Sequence, residues 1–311
     1  MKSERGGSTI TTLFEGDYAL GLGALANSLY ANGFRGRIVA GYRGALAGWA
    51  CPAGQTDSPS ILQPAEGLEI ELIPIPPGWH LANLKPHFML DAWDRHEADA
   101  VFYFDPDIVV KCRWSFFEEW AGFGVGLCEE AVMANMPEDH PLRLQWLAWA
   151  AGRGLSKVRE VRGALNSGFI GVPRSERAFI EQYRSLLDSL EDEVPLDRFA
   201  PGDRSQPFHM TDQDALNVMG SIYVGRISRI GPEGMDFVGG GFTMSHAAGA
   251  EKPWRKGFIR SALRGVPPTL ADKGWLAHCS GPIQVLNPRE IQRKRKEMKI
   301  ASTIGRLVRR A

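Results

Sequence analysis

The architecture of this chain follows from one ten-residue run, Val-Phe-Tyr-Phe-Asp-Pro-Asp-Ile-Val-Val at residues 101–110. Its first four residues are apolar and predict a strand buried on both faces, as central strands of parallel sheets are. Asp105 and Asp107 stand together at the carboxyl end of that strand, and Pro106 stiffens the turn between them. Ligands of open α/β sheets bind at this edge, so these carboxylates are candidates to hold a divalent cation against a phosphate-bearing substrate. The alternative is a solvated surface turn, because Asp and Pro are common turn residues.

The residues around this run predict an α/β sheet. Residues 9–14 predict a first strand, residues 19–32 a helix that ends at Gly33, and residues 37–40 a second strand. Strand, helix and strand in such a short span form a βαβ unit, whose strands are parallel. Further strands are predicted at 69–75, 125–128 and 164–172, helices at 84–93, 141–151 and 175–190, a helix or turn at 114–120, and a loop at 42–64. Ser175 is predicted to cap the last of these helices.

Composition indicates an ordinary globular protein. The 311 residues are 44% hydrophobic and 23% charged, with a formal net charge of zero. Residues 289–311 contain nine Lys/Arg and two Asp/Glu, a net charge of +7, so residues 1–288 carry −7 and offer no general surface for nucleic acid. No apolar run suits a signal peptide or a membrane span, which predicts a cytoplasmic protein. The four cysteines form no Cys-x-x-Cys pair, which favours free thiols.

A second candidate cluster lies in Ser-His-Ala-Ala-Gly-Ala-Glu-Lys-Pro-Trp at residues 245–254. His246 offers a nitrogen ligand to a cation, Gly249 lets the backbone approach a diphosphate, and Lys252 offers a positive charge to a leaving phosphate. Two carboxylates, an imidazole and phosphate oxygens would form a mixed shell that suits Mn²⁺ and tolerates Mg²⁺.

At these residues the sequence resembles glycosyltransferase family 8, retaining enzymes with the GT-A fold that use nucleotide-sugar donors. Residues 246–254 match the family's His-x-x-Gly-x-x-Lys-Pro-Trp motif at every fixed position. Asp105 and Asp107 match its Asp-x-Asp motif, residues 166–168 its Asn-[Ala/Ser]-Gly segment, and residues 212–217 its Asp-Gln-Asp-x-Leu-Asn segment. The motifs occur in the family's order, and one such motif is weak whereas four in order are strong.

The resemblance implies an α/β protein of the GT-A type, with a mostly parallel central sheet flanked by helices. The resemblance ends at Trp254, and the charge pattern rather than the resemblance predicts one domain over residues 1–288 followed by a basic amphipathic helix within the tail 289–311, where Ile300, Ile304, Leu307 and Val308 lie at helical spacing. The resemblance also implies that Asp105, Asp107 and His246 hold the metal. The residues implied to bind the nucleotide sugar are Leu13, Glu15, Tyr18, Lys85, Asn166, Gly249 and Lys252. Those implied to act in catalysis are Asp212, Gln213 and Lys252.

Three of these residues depart from the family pattern, and the segment around Asp212 has a second interpretation. Glu15 stands where relatives often have Asp, and Leu13 stands where they have a small residue, so uridine recognition is less secure than diphosphate binding. Lys85 does not match cleanly in spacing the basic residue that the family places on the helix before Asp-x-Asp. Thr211 with Asp214 three residues on also resembles a capping box at a helix start.

The expected function is a hexosyltransferase that moves a hexose from a UDP-sugar to a glycan or glycolipid acceptor with retention. The alternatives are a non-catalytic nucleotide-sugar-binding scaffold on the same fold and a sugar nucleotidyltransferase. The acidic loop Phe14–Asp17 counts against the nucleotidyltransferase, which would be expected to have a Gly-rich, basic loop there. The tail predicts either peripheral contact with the inner face of a membrane or a packed or solvated basic helix.

Overall fold

The computed structural model of the chain describes residues 7–46, 48–51, 60–133, 135–198 and 205–308. Its strands are β1 (Ser8–Glu15), β2 (Gly36–Arg43), β3 (Ser60–Ala65), β4 (Leu68–Pro74), β5 (Ala100–Phe104), β6 (Ile108–Val110), β7 (Val125–Glu129), β8 (Leu165–Pro173), β9 (Ile227–Ile230) and β10 (Met244–His246). Its helices are α1 (Ala19–Ala31), α2 (Lys85–His96), α3 (Trp114–Gly122), α4 (Pro141–Ala151), α5 (Arg177–Asp188), α6 (Thr211–Ile222), α7 (Phe258–Leu263), α8 (Leu270–Ala277) and α9 (Pro288–Val308).

Eight of these strands form one sheet in the order β3-β4-β2-β1-β5-β8-β7-β9, with helices on both faces. The pairs β1–β2, β1–β5, β2–β4 and β7–β9 are parallel. The pairs β3–β4, β5–β8 and β7–β8 are antiparallel. The predicted fold class, a mostly parallel sheet flanked by helices in a single domain, is confirmed.

Strand β5 is the central strand that the sequence predicts. Its five residues are all buried, because Val101 and Tyr103 face the core on one side of the sheet while Phe102 and Phe104 face the core on the other. A strand buried on both faces cannot carry charge along its length, so the carboxylates begin where the strand ends. The end of β5 thus carries Asp105 to the carboxyl edge of the sheet.

A small second sheet completes this edge. Strands β6 and β10 pair antiparallel, with Ile108 opposite His246. The pairing places the residue after Asp107 directly beside the imidazole that the late motif supplies. Two motifs far apart in sequence are therefore brought together by three pairs of residues.

Strand β3 contradicts the predicted loop at 42–64, and β2 also extends to Arg43. Pro64 made the segment a poor strand candidate, since proline cannot donate a ladder hydrogen bond. It is tolerated here because β3 is an edge strand that pairs only with β4 among the described strands. Residues 52–59 of the predicted loop lie outside the described residues.

Two predicted helix caps are wrong. Ser175 lies inside a short 3₁₀ turn, Arg174–Glu176, and the residue before α5, Glu176, makes no capping hydrogen bond with its side chain. Helix α6 begins at Thr211 itself, one residue earlier than a Thr211 cap requires, and the Thr211 hydroxyl donates instead to the Phe208 carbonyl. Asp214 accepts from the Met210 backbone N–H rather than from that of Thr211, so the predicted capping box does not form.

The basic tail forms helix α9, which packs against α7 and the core through Ile291, Met298 and Ala301. Ile300 and Leu307, two apolar residues of the amphipathic pattern in this tail, are 51% and 65% exposed and lie on the outer face of the helix. No helix within the described residues combines the length and the apolarity that a membrane crossing requires.

Candidate active site

The Asp105–Asp107 turn is held from both sides by backbone hydrogen bonds. Asp105 N–H donates to the Gly168 carbonyl at the end of β5, at 2.7 Å, and Ala247 N–H donates to the Asp107 carbonyl after β10, at 3.0 Å. These bonds tie the turn to β8 on one side and to the late motif on the other. The position of both carboxylates is thus fixed by the sheet rather than by a free loop.

Three candidate ligands converge at this turn. His246 Nε2 lies 3.2 Å from Asp107 Oδ1 and 3.6 Å from Asp105 Oδ2. One donor atom from each of the three residues lies within 4.8 Å of the others, which allows one ion to contact all three. Carboxylate oxygens with one imidazole nitrogen suit Mn²⁺ and tolerate Mg²⁺.

Gly168 makes room for the imidazole. A Cβ at this position would lie 2.5 Å from His246 Cε1 and 2.9 Å from Nδ1, so a larger residue would push the ring away from the carboxylates. His246 Nδ1 is buried and has no hydrogen-bond partner among the described residues. The ring is therefore placed by packing, with Nε2 facing the two carboxylates, and the donor set fits a divalent cation.

Lys252 joins the same cluster. Its Nζ lies 2.6 Å from Asp107 Oδ2 and 2.8 Å from the Ala247 carbonyl oxygen. Burial alone would raise the pKa of Asp107, but the His246 and Lys252 groups outweigh it and hold that pKa well below its usual range. Burial would likewise lower the pKa of Lys252, yet Asp107 outweighs it and raises that pKa. Both groups stay charged at neutral pH.

Lys85 is placed beneath this cluster rather than at its surface. Its side chain is 2% exposed, and Nζ lies 2.8 Å from Asp212 Oδ2, 3.1 Å from Ser167 Oγ and 3.3 Å from Asp105 Oδ1. Ser167 Oγ also donates to Asp212 Oδ2, at 2.7 Å. Lys85 thus links the candidate metal ligand Asp105 to the candidate catalytic residue Asp212.

Asn166 and Gln213 form a second polar group beside Asp212. Asn166 Nδ2 lies 3.3 Å from Gln213 Oε1, and the Ser167 N–H donates to the same oxygen at 3.4 Å. Asn166 Nδ2 also donates to Glu130 Oε2, at 2.5 Å. Glu130 was not predicted from the sequence, although it directly follows the observed strand β7 as Asp105 follows β5.

A cleft beside the candidate metal ligands contains two residues predicted to bind the nucleotide, Glu15 and Tyr18, and two that were not predicted, Arg43 and Arg255. All four line it where β1 and β2 end. Arg43 Nη2 donates to the Pro76 and Trp79 carbonyls, and Arg255 pairs with Asp17. Burial raises the pKa of Tyr18, with the nearby Lys252 opposing it, so its hydroxyl stays protonated.

Two predicted residues stand apart from these contacts. The Leu13 side chain is buried in the core and lines a separate apolar cavity with Trp79 and Phe88. Gly249 is exposed, and a Cβ there would meet no described atom within 4 Å. Its backbone is therefore open to a ligand, although among the described residues it forms no hydrogen bond with Asp105, Asp107, His246 or Lys252.

No protein-family model and no curated protein matches this sequence. Solved structures do resemble the fold. The bifunctional glycosyltransferase WbbM aligns with a TM-score of 0.54 and 13% identity over 96% of this chain, which spans only about half, 53%, of the WbbM chain.

The galactosyltransferase LgtC, solved with donor and acceptor sugar analogues, aligns with a TM-score of 0.52 and 15% identity over 92% of this chain and 99% of its own. GlyE of Streptococcus pneumoniae aligns with a TM-score of 0.50 and 12% identity, over 95% of this chain and 64% of its own. Identities this low show the fold alone. The chain has the GT-A fold that these glycosyltransferases share.

Proposed function

We propose that this chain is a metal-dependent hexosyltransferase of the family 8 type, which moves a hexose from a UDP-sugar to a glycan or glycolipid acceptor with retention. One observation carries the proposal. Asp105, Asp107, His246 and Lys252 meet at the carboxyl edge of a GT-A sheet, where two acids, an imidazole and a lysine can bind a metal-bridged diphosphate.

The leaving group sets the chemistry that these residues must perform. Loss of a nucleoside diphosphate from the anomeric carbon leaves negative charge on phosphate oxygens, and Lys252 would stabilise that charge. Asp105, Asp107 and His246 would hold Mn²⁺ or Mg²⁺, which as a Lewis acid neutralises charge on the same diphosphate when bound. Two positive groups thus act on one developing anion.

The contacts of the candidate catalytic residues Asp212 and Gln213 favour a front-face route, in which the acceptor attacks from the side that the diphosphate leaves and no protein nucleophile is used. Asp212 Oδ2 is shared by Lys85 and Ser167, and Gln213 Oε1 accepts from Asn166 and the Ser167 N–H. These bonds reduce the nucleophilicity that a double displacement would need from either residue. We propose that the leaving phosphate receives the acceptor's proton, while Asp212 and Gln213 stabilise positive charge on the sugar. If Asp212→Asn leaves kcat unchanged, the Asp212 carboxylate has no such role.

The base pocket supports a uridine nucleotide. Glu15 and Arg43 are paired residues at the ends of β1 and β2. A carboxylate accepts from a ring N–H and a guanidinium donates to a ring carbonyl, and uracil presents both groups side by side. Adenine and cytosine present an amino donor instead of that carbonyl, whereas guanine shares the carbonyl and N–H. Glu15→Gln should therefore narrow the preference for UDP over CDP.

The outer face of α9 supports peripheral contact with the inner face of a membrane, in a cytoplasmic setting. Exposed Ile300 and Leu307 stand among Lys296, Lys299 and Arg306. Apolar side chains ringed by cations suit an anionic lipid surface. Because α9 also packs on the core, deleting it would damage the fold. The double variant Ile300→Glu/Leu307→Glu is the better test, and unchanged sedimentation with anionic vesicles would refute the contact.

The test of the function is donor turnover. The protein is incubated with UDP-glucose, UDP-galactose, GDP-mannose and ADP-glucose, with Mn²⁺ or with chelator, and released nucleoside diphosphate is measured. We expect metal-dependent release of UDP, abolished in Asp107→Asn. Tight nucleotide binding without release from any donor, with or without a panel of glycan acceptors, would favour the non-catalytic scaffold instead.

A further inference from the structure

The inner face of α9 contains a lysine where the pattern calls for an apolar residue. The buried positions of the helix follow a three- and four-residue spacing, which is that of a helix face packed on a core. They are Ile291, Lys294, Met298, Ala301 and Gly305. Lys294 is 5% exposed, as buried as its apolar neighbours. A buried ammonium is costly unless something specific holds it.

Backbone carbonyls of the late motif hold this ammonium. Lys294 Nζ lies 3.2 Å from the Trp254 carbonyl oxygen and 3.5 Å from that of Pro253. The rings of Phe258 and Trp275 flank it, with centroids 5.5 and 5.9 Å from Nζ. No carboxylate of the described residues lies within ion-pairing distance of it. The positive charge is therefore directed at two carbonyl oxygens.

Those carbonyls belong to the turn that carries Lys252. The Arg255 and Lys256 N–H groups donate to the Lys252 carbonyl, at 2.9 and 3.1 Å, and close residues 252–256 into a turn. The Trp254 ring fixes the other side of this turn. It packs so closely on α1 that a Cβ at Gly21 would lie 2.9 Å from its Cη2 atom.

We propose that Lys294 is a positioning residue, which anchors the 252–256 turn to the C-terminal helix and so holds the Lys252 ammonium at the diphosphate site. This inference rests on the proposed function for what Lys252 does there. The anchor itself rests on the contacts of Lys294 alone. The C-terminal helix is on this account part of the donor site, although it contacts no candidate ligand.

The first arm of the test needs no nucleotide. Lys294→Met keeps the length and apolar stem of the side chain and removes the ammonium. Lys296→Met, on the exposed face of the same helix, removes an equal charge. We expect the Arg255 and Lys256 amides to exchange with deuterium at least about fivefold faster in Lys294→Met than in Lys296→Met. The unfolding midpoint should change little, because relief of a buried charge is offset by the two carbonyls left without their donor.

The second arm measures UDP affinity with Mn²⁺ by equilibrium dialysis. Lys294→Met should weaken binding by roughly three- to tenfold, as expected for a lost charge-assisted contact, whereas Lys296→Met should not. In a Lys252→Met background the same change should cost less than about twofold, because Lys294 acts through Lys252. Equal losses in both backgrounds, or exchange rates that match Lys296→Met, would overturn the proposal.

The two arms separate the two claims. If the natural protein binds no nucleotide while the amides respond as expected, the proposed function fails and the anchor stands. If nucleotide binding is metal-dependent but Lys294→Met neither loosens the turn nor weakens binding, the function stands and the anchor is refuted.

Discussion

At the scale of single residues, Lys85 is a buried cation that lies between two acidic residues of the candidate site. Its ammonium is removed from solvent, yet Asp105 and Asp212 outweigh the effect of burial and raise its pKa. Each buried carboxylate of the site has its own lysine, since Asp107 pairs with Lys252. Removing one member of such a pair leaves a buried charge uncompensated, which is far more costly than removing both.

Lys85→Met should therefore lower the free energy of unfolding by roughly 3 kcal/mol at pH 7, because the Asp212 carboxylate loses its main cation. The double variant Lys85→Met/Asp212→Asn should recover most of that loss. Urea denaturation of the two variants and the natural protein measures both values. A double variant that loses as much stability as Lys85→Met alone, or more, would contradict the pairing.

Asp214 predicts a pH dependence of stability. Burial raises its pKa to about 8, and His209 Nδ1, 3.4 Å from the carboxylate, does not reverse this. An unfolded Asp titrates near 4, so between about pH 4 and pH 8 the folded state binds a proton that the unfolded state lacks. The resulting stability is present at low pH and is lost as pH rises through that window.

Asp214→Asn removes this titration and keeps the shape of the side chain. Urea unfolding at pH 5 and pH 7 measures the free energy of unfolding of both proteins. The difference, variant minus natural protein, should be at least about 1 kcal/mol larger at pH 7 than at pH 5. Parallel stability profiles for the two proteins would mean that Asp214 is ionised in the folded state throughout.

Gly249 tests the backbone approach to the diphosphate. Because an added Cβ meets open space, Gly249→Ala should change the free energy of unfolding by less than about 0.5 kcal/mol. If the diphosphate lies against this backbone, the methyl group should weaken UDP binding by at least about tenfold. Calorimetry measures the affinity, and an unaltered value would place the diphosphate elsewhere.

The candidate site residues could be named from the sequence more readily than the contacts that each of them makes. Asp105 and Asp107 could be identified because they follow a buried strand, and His246 because it belongs to a recognisable motif. The partners of Lys85 could not be predicted, since they come from β8 and α6 and depend on how those elements pack. Glu130 follows β7 in the same way that Asp105 follows β5, but it was not predicted.

At the scale of elements, periodicity identified the long ones and failed on the short ones. Strand β1 and helix α1 are long enough for their patterns to be recognised, and β5 was recognised as a continuous apolar run. Strand β10 has three residues and α7 has six, so neither completes enough repeats. Both matter to the site, because β10 carries His246 and α7 supports α9.

Adjacent residues of α9 test its docking. Ala301 is fully buried and Ile300 is 51% exposed. Ala301→Glu should lower the free energy of unfolding by about 3 kcal/mol or more, since it places a charge in the core, whereas Ile300→Glu should change it by less than about 1 kcal/mol. Guanidinium denaturation compares them, and equal small effects would mean that α9 does not pack on the body in solution.

At the scale of the whole molecule, the sheet brings residues that are distant in the sequence close together in space. Lys252 and Asp107 are 145 positions apart and Lys85 and Asp212 are 127 apart, yet each pair lies within 3 Å. The acids that follow parallel strands meet at one edge, and the late motif reaches that edge through β10. The order of the motifs along the chain therefore does not reveal their contacts, whereas the direction of the strands does.

The central claim is that Asp105, Asp107 and His246 hold a cation on which nucleoside diphosphate binding depends. Calorimetric titration of the full chain with UDP, in Mn²⁺ and in chelator, tests it most directly, with His246→Ala as the variant. We predict binding in Mn²⁺, little or none in chelator, and a loss of at least about tenfold in His246→Ala. UDP affinity that is equal with and without Mn²⁺, or unaltered in His246→Ala, would contradict the account.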